Sequence, residues 1–174
     1  MKNDKISRMI TAMKTGDESA FENLYLETKR GVFVFLHTYL HNVTDSEDAM
    51  QTVYVKIREN VNSFRDGTNG RAWILQIAKN HALNLIDKSK RETGYDFFEN
   101  IEDGKEIFSD NTVSGMMEKV LSEEEQRIIT LHVIWLYKHR EIAEILEIPT
   151  GTVTSKYKRA VEKLKKALKE NIYE

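Results

Sequence analysis

The apolar residues of this chain recur every three or four positions in one segment after another. The pattern runs through residues 18–41 and again through residues 71–90, and shorter stretches repeat it elsewhere. This period places the apolar side chains on one face of an α-helix. Pro149 is the chain's only proline, and the many Leu, Ile, Lys and Glu residues favour helices. The sequence therefore predicts an all-α protein.

Turn formers and charge divide the predicted helices into two groups. Four helices come first, with the loop NVNSFRDGTNG at residues 60–70 between the third and the fourth. Residues 93–112 are acidic and lack a sustained period, which is typical of a flexible linker. Three further helices are predicted at residues 123–134, 138–146 and 150–169. We therefore predict two small helical domains, at residues 1–92 and 113–174, joined by this acidic linker.

Three of the predicted helix starts carry capping signals. Asp17 precedes the second helix, and its carboxylate can accept from the amides of the first turn. The run TDSE predicts a capping box between Thr44 and Glu47 at the start of the third helix. Ser122 and Glu125 predict another one in the second domain. These caps set the expected helix boundaries.

Composition excludes several classes of protein. The chain has no cysteine, so disulfides and thiolate metal sites are excluded. No apolar run reaches the about 18 residues of a membrane span, and the first residues do not resemble a signal peptide, so we expect a cytoplasmic protein. His37 and His41 could share a helix face but lack a third ligand, so neither a metal nor another cofactor is predicted. No phosphate-binding loop or nucleophile elbow occurs, and no enzyme is expected.

Charge is segregated along the chain, although the formal net charge is only -2. Residues 71–91 carry five bases and one acid, and residues 149–174 carry seven bases and three acids. Residues 92–111, between them, carry seven acids and one base. Two basic segments thus flank an acidic one, which suits two surfaces that face phosphate. A solvated helix face is the alternative for each basic segment.

The stretch EIAEILEIPTGTVTSKYKRA, residues 141–160, has the pattern of a helix-turn-helix. Ala143 allows a close helix crossing, Ile148 seals the turn, and Pro149 precedes Thr150, whose hydroxyl can cap the second helix. Short polar groups and then cations follow, which fits a helix that enters the major groove of DNA. These residues are Thr152, Thr154, Ser155, Lys156, Lys158 and Arg159. A helical hairpin with a solvated basic end remains the alternative from this pattern alone.

Longer stretches resemble a known family. The run LSEEEQRIITLHVIWLYKHREIAEILEIPTGTVTSKYKRAVEKLKKAL resembles region 4 of the sigma-70-type bacterial initiation factors, particularly the short extracytoplasmic-function (ECF) class. FENLYLETKRGVFVFLHTYLHNVTDSEDAMQTVYVKI and SFRDGTNGRAWILQIAKNHALNLIDKSKR resemble region 2 of that class, in the same order and spacing. The resemblance covers roughly residues 17–91 and 115–168. It implies a sigma factor with a region 2 four-helix unit and a region 4 helix-turn-helix unit.

The resemblance implies that the predicted third helix binds the clamp coiled coil of the largest polymerase subunit. The residues that match this contact are Asp45, Glu47, Asp48, Gln51 and Lys56. Thr52 stands where the family usually has glutamate, which puts one contact in doubt.

The resemblance also implies that the loop before the fourth helix, together with that helix, captures an unstacked base of the -10 element and holds the non-template strand. Melted DNA requires a pocket for the base and cations along the backbone. The matching residues are Phe64, Arg65, Asn69, Arg71, Lys79, Asn80, Asn84 and Lys88. Gly70 and Asp87 depart from the family pattern, where an apolar residue and a base are usual.

Region 4 of the family reads the -35 element and docks on the flap of the second-largest subunit. By position, Thr150, Thr152, Thr154, Ser155 and Lys158 are expected to face bases, and Lys156, Arg159 and Lys163 to follow phosphates. Glu147 stands in the turn where the family usually has glycine. A left-handed backbone there would cost about 1 kcal/mol.

The expected partners are core RNA polymerase, promoter DNA and an anti-sigma factor that holds the protein inactive. Two alternatives remain from the sequence. One is a helix-turn-helix regulator that binds DNA without the polymerase core. The other is a helical protein-interaction module whose basic ends are only solvated.

Overall fold

The computed structural model describes residues 5–93 and 113–172 of the chain. Within them lie α1 (Lys5–Met13), α2 (Glu18–Leu40), α3 (Val43–Glu59), α4 (Gly70–Thr93), α5 (Val113–Val120), α6 (Glu123–Ile129), α7 (His139–Leu146) and α8 (Thr150–Ile172). A 3₁₀ turn (Val61–Ser63) follows α3, and a π-helical turn (Thr130–Ile134) follows α6. The described residues contain no strand, and the prediction of an all-α protein is confirmed.

The chain divides into two compact units, Met1–Ile101 and Glu102–Glu174, which we call unit 1 and unit 2. This division lies inside the predicted linker at residues 93–112, most of which lies outside the described residues. Each unit has its own buried apolar residues, as expected of a domain that folds around one core.

Unit 1 packs α1 to α4 around apolar side chains that the helical period placed on one face. The fully buried ones include Leu24, Phe35, Leu36, Ile57 and Ile74. One buried polar pair lies among them, since the hydroxyls of Thr28 and Tyr54 are 2.7 Å apart and Thr28 also donates to the Leu24 carbonyl. Because each buried hydroxyl has a partner, this pair does not carry the cost of an unsatisfied group.

Unit 2 packs α5 to α8 around Ile128, Leu131, Ile142, Val153 and Ala160, all fully buried. After the π-helical turn the chain continues through Trp135 and Tyr137, whose side chains are buried, to the start of α7. Val133, Ile134 and Leu136 are exposed in the same segment. The first helix of this unit, α5, was not predicted, because it is short and adjoins the acidic stretch that lacks a period.

The caps predicted at Asp17 and at Ser122 are confirmed, and the cap predicted at Thr44 is wrong. The Asp17 carboxylate accepts from the Ala20 amide at 3.2 Å. Ser122 and Glu125 form the predicted capping box, with hydrogen bonds of 3.0 and 3.3 Å. The box at Thr44 is absent, because α3 begins one residue earlier and the Asn42 side chain accepts from the Asp45 amide at 2.9 Å. Asparagine caps at least as well as threonine, so Asn42 takes that role.

Within the described residues no helix combines the length and the apolar character that a membrane span requires. The same residues contain no group of three or more His, Asp or Glu side chains that could hold a metal ion.

Candidate nucleic-acid and polymerase interfaces

The exposed face of α3 presents Glu47, Asp48 and Gln51 to solvent. Asp45 is half-buried at the start of the helix, and burial raises the pKa of its carboxyl, as does the nearby charge of Asp48. Val55 lies one turn after Gln51, and 54% of its surface is exposed. The face therefore combines acids and an amide with one apolar side chain, which sequence analysis did not single out. Val55 could have been identified from the sequence, because it is an apolar residue that does not follow the helical spacing of the buried residues of α3.

Lys56 lies off that face, against α4. Its ammonium group donates to Nδ1 of His81 at 3.2 Å. Burial lowers the pKa of His81, and the charge of Lys56 lowers it further, so the imidazole is held neutral. Thr52 is half-buried, and its hydroxyl donates to the Asp48 carbonyl at 3.1 Å. The structure thus places Lys56 between two helices of unit 1, apart from the other residues of the predicted polymerase contact.

The loop between α3 and α4 has a buried end and an exposed tip. Phe64 is 1% exposed, and its ring packs edge-on against Trp73 with the centroids 5.5 Å apart. Our expectation that Phe64 lines a DNA-binding loop is therefore wrong for this structure, because an apolar ring at this position is worth more in the core. Arg65 is exposed at the tip, and Asn69 is half-buried, with its side chain accepting from the Ala72 amide at 3.2 Å. Asn69 therefore caps α4.

One face of α4 carries exposed polar groups along four turns. Asn80, Asn84 and Lys88, which the resemblance assigns to strand binding, are exposed. The Gln76 amide donates to Oδ1 of Asn80 at 2.9 Å, which orients that side chain. Leu83 lies among them and is 39% exposed, so the face also offers an apolar surface. Arg71 and Lys79, also on α4, are half-buried.

The turn between α7 and α8 has the left-handed backbone that the sequence allowed. Glu147 has φ 58° and ψ 42° and ends α7, with its amide donating to the Ala143 carbonyl. The Ile148 amide donates to the same carbonyl at 3.1 Å. Since a side chain at positive φ is strained, the prediction of strain at Glu147 is confirmed.

Glu147→Gly is expected to stabilise unit 2 by about 1 kcal/mol, because glycine adopts this backbone without steric cost. Urea unfolding followed by Trp135 fluorescence, in a Trp73→Phe background, measures this change. A loss of stability would show that the Glu147 side chain makes contacts that outweigh the strain.

The start of α8 lies close to α7 in the manner of a helix-turn-helix. The amides of Thr152 and Val153 donate to the Pro149 carbonyl at 3.0 and 3.1 Å. Pro149 therefore occupies the cap position and Thr150 is the first helical residue, so the predicted capping by the Thr150 hydroxyl is wrong. Thr150 is exposed and Thr152 is half-buried.

Thr154 joins α8 to α7 through a histidine. Its hydroxyl donates to the Thr150 carbonyl at 3.1 Å, so Nδ1 of His139, also at 3.1 Å, must donate to it. The rings of His132 and Tyr157 pack on His139 with centroids 5.1 and 4.8 Å away. Burial lowers the pKa of His139, and His132 adds to this effect. The structure therefore places the Thr154 hydroxyl in the joint between the two helices.

The cations of α8 fall into two groups. Lys158 and Arg159 are exposed, as is Ser155 beside them. Lys156 instead pairs with Glu124 at 2.6 Å, and Lys163 pairs with Glu125 at 2.7 Å. Glu125 is 4% exposed; burial would raise the pKa of its carboxyl, but the hydrogen bonds from Lys163 and the Ser122 amide hold it below its usual value. Lys163 therefore compensates a buried charge, and removing it would leave that carboxylate unpaired.

Comparisons with known proteins show the family of the chain. The model of Sigma-70 region 2 matches residues 24–92, and the model of Sigma-70 region 4 matches residues 119–164. The chain belongs to the sigma-70 family. It is 26% identical to the ECF RNA polymerase sigma factor SigW of Bacillus subtilis, over 95% of this chain and 97% of that protein. It is 28% identical to the ECF RNA polymerase sigma-E factor of Escherichia coli K12, over 88% of this chain and 89% of that protein.

Two solved structures share the fold of this ECF sigma factor. CnrH, in complex with the cytosolic domain of CnrY, has a TM-score of 0.64 at 19% identity and covers 96% of this chain and 99% of its own. The sigma factor RpoE of Bartonella quintana, in complex with the anti-sigma factor NepR, has a TM-score of 0.65 at 20% identity, with coverage of 86% and 96%. The sigma factor is a transcription initiation factor and not an enzyme; it acts with core RNA polymerase on promoter DNA.

Proposed function

We propose that unit 1 binds the polymerase clamp and the melted -10 element, and that unit 2 reads the -35 element. The observation that carries this proposal is a second polar and cationic helix face. The start of α8 provides one such face on a helix-turn-helix, and α4 provides the other in a separate unit. A regulator that binds duplex DNA through a helix-turn-helix alone does not require a second polar and cationic face such as that of α4.

The -35 contact is assigned to the exposed start of α8. Thr150 and Ser155 present short hydroxyls that are able to reach base edges, while Lys158 and Arg159 have the charge and length for phosphates. Thr152, Thr154 and Lys156 adjoin this surface and shape it. Lys156 is 25% exposed in its side chain and Glu124 34%, so phosphate would compete with Glu124 for the same ammonium group.

The -10 contact is assigned to the tip of the loop before α4 and to the exposed face of α4. Asn80 and Asn84 provide amide donors and acceptors, and Lys88 provides charge for the strand backbone. Arg65 is exposed at the loop tip, and Leu83 is exposed on the helix between Asn80 and Asn84. Apolar and amide groups beside cations suit unstacked bases, since both the base face and the strand charge are then contacted.

The polymerase contact is assigned to the α3 face formed by Glu47, Asp48, Gln51 and Val55. Protein interfaces commonly have an apolar centre and a polar rim, and Val55 supplies the apolar group among the polar ones. Lys56 lies on another side of α3, where its hydrogen bond to His81 joins α3 to α4. Because Glu47 and Asp48 make this α3 face acidic, the clamp surface that binds it is expected to be basic. Such electrostatic complementarity speeds association.

Asp48→Arg is expected to weaken binding to core polymerase roughly tenfold, because a like charge then faces the basic partner surface. Asn80→Ala is the matched control on the other face of unit 1. It should leave polymerase affinity unchanged and slow promoter opening. Fluorescence anisotropy with labelled protein measures the affinity, and permanganate reactivity of the promoter measures opening. Equal loss of both properties in both variants would contradict the division into two faces and indicate a general folding defect.

We further propose that an anti-sigma factor regulates this sigma factor, and that the protein acts in the cytoplasm. The sigma factor RpoE of Bartonella quintana is solved in complex with such a partner, the anti-sigma factor NepR. Purified candidate partners encoded beside this chain, tested for inhibition of polymerase binding, would examine this proposal.

A further inference from the structure

Helix α1 holds the loop that precedes α4 through a set of polar side chains. The Thr11 hydroxyl donates to Oδ1 of Asp66 at 2.9 Å, and the Lys14 ammonium group donates to the same oxygen at 2.8 Å. Four residues before Thr11, the Ser7 hydroxyl donates to the Thr68 carbonyl at 3.0 Å. We call these three side chains, Ser7 and Thr11 on α1 and Lys14 in the turn directly after it, the α1 latch.

The two ends of the loop are also fixed by α1. At one end Lys14 lies over the Phe64 ring, with Nζ 5.5 Å from the centroid. At the other end the Gly70 amide donates to the Ser7 hydroxyl oxygen at 2.9 Å. A side chain at Gly70 would lie 2.9 Å from both the Ser7 amide nitrogen and Cδ1 of Ile10, so the start of α4 packs directly on α1. The ends of the loop therefore cannot move independently of this helix.

The tip of the loop has little else to fix its shape. Arg65, Asp66, Gly67 and Thr68 are all exposed, and Gly67 has a φ of 81° that suits glycine. Hydrogen bonds between Thr68 and Arg65 close a turn, and further hydrogen bonds join the tip to Ser7 and Thr11 of α1 and to Lys14. Hydrogen bonds from Lys14 and Thr11 also lower the pKa of Asp66, so its carboxylate keeps the charge that Lys14 binds.

We propose that the α1 latch positions the loop tip for the single-stranded -10 DNA before that DNA arrives. Ordering a flexible loop at the moment of binding reduces affinity, and a loop already held in its bound shape avoids this loss. Thr11, Lys14 and Asp66 are thus positioning residues for the strand, and α1 belongs to the DNA-binding machinery. The helix lies before residue 24, where the match to Sigma-70 region 2 begins. This inference rests on the proposed assignment of the -10 contact to unit 1.

The first test removes the two latch side chains that bind Asp66, and leaves the exposed face of α4 unchanged. The double variant Thr11→Val with Lys14→Met, in complex with core polymerase, is expected to bind the non-template -10 strand about tenfold more weakly. The probe is a fluorescent single-stranded oligonucleotide from a promoter that the wild-type complex selects from random DNA. Lys5→Met is the matched control. It also removes a lysine, but this lysine lies on α1 and pairs with Glu27 on α2 and not with the loop. Its strand affinity should equal that of the wild type.

The second test replaces the hydrogen bond between Thr11 and Asp66 with a disulfide bond at the same two positions. The chain contains no cysteine, so Thr11→Cys with Asp66→Cys introduces the only thiols. After oxidation to a disulfide, the same protein is expected to bind the strand about tenfold more tightly than after reduction, at equal affinity for polymerase. A purely structural role of α1 would not produce this redox-dependent difference in strand affinity.

The outcomes separate the latch from the function on which it rests. Strand binding that is equal in the latch variant and the wild type, or equal in the oxidised and reduced cysteine variant, overturns the latch alone. A wild-type complex that binds no -10 strand overturns the proposed function of unit 1 and the latch with it.

Discussion

Gly70→Ala is expected to destabilise unit 1 by about 1–3 kcal/mol, because the added methyl group has no space. Its carbon would lie 2.9 Å from the Ser7 amide nitrogen, which belongs to the backbone of α1 and cannot rotate away. Relief would require α1 to move away from the start of α4. The Ser7 hydrogen bonds to Gly70 and Thr68 would then lengthen as well. Urea unfolding followed by Trp73 fluorescence, in a Trp135→Phe background, measures the loss.

Gly151→Ala is the matched control for this substitution. Gly151 also lies in the first turn of a helix, α8, but outside its chain neighbours and the nearby backbone of α8 no atom lies within 4 Å of the position that its added carbon would take. Alanine there is expected to leave the stability of unit 2 unchanged or to raise it slightly, since alanine favours helix. Equal effects of the two substitutions would contradict the close packing of α1 on Gly70.

Lys158→Ala with Arg159→Ala is expected to reduce binding to -35 DNA by more than tenfold, and by a similar factor for every sequence. Two fewer phosphate contacts should also lower the slope of log affinity against log salt concentration by about 2. Both side chains are exposed at the start of α8, so the fold of unit 2 should remain unchanged. Titration of duplex promoter DNA with the holoenzyme at several salt concentrations measures the affinity and the slope.

Lys166→Ala is the control for the double substitution. Lys166 is also exposed on α8, where it pairs with Glu170 at 3.9 Å, two turns beyond Arg159. It should change neither affinity nor slope. If Lys166→Ala has the same effect as the double variant, the cations act through the total charge of α8, and the assignment of Lys158 and Arg159 to phosphates is contradicted.

The helices were predictable because their signals are local. The 3.6-residue period gave α2, α4 and α8 to within a few residues, and the caps at Asp17 and Ser122 followed from side chains next to the helix starts. The left-handed backbone at Glu147 could also be anticipated from the sequence, since a helix commonly ends with a residue in that conformation. The fold class of this sigma factor is therefore encoded over short distances in the sequence.

The properties of several candidate site residues depend on partners far away in the chain. Lys156 and Lys163 each pair with a carboxylate that lies more than 30 residues earlier, at the start of α6. Phe64 looked like part of a DNA-binding loop until its burial beside Trp73 was seen. Gly70 looked like a departure from the family pattern, whereas it is required by the contact with Ser7. Such contacts carry no periodic signal, and the sequence could not show them.

The central claim is that this chain directs promoter-specific initiation by contacting polymerase and both promoter elements. Its most direct test adds the purified protein to bacterial core RNA polymerase with a library of genomic promoter fragments and sequences the 5′ ends of the transcripts. We predict transcripts that begin at defined positions downstream of a shared pair of -35 and -10 motifs, and that disappear with the Lys158→Ala, Arg159→Ala variant. Core polymerase that initiates no differently with and without the protein, on every fragment, would contradict the claim.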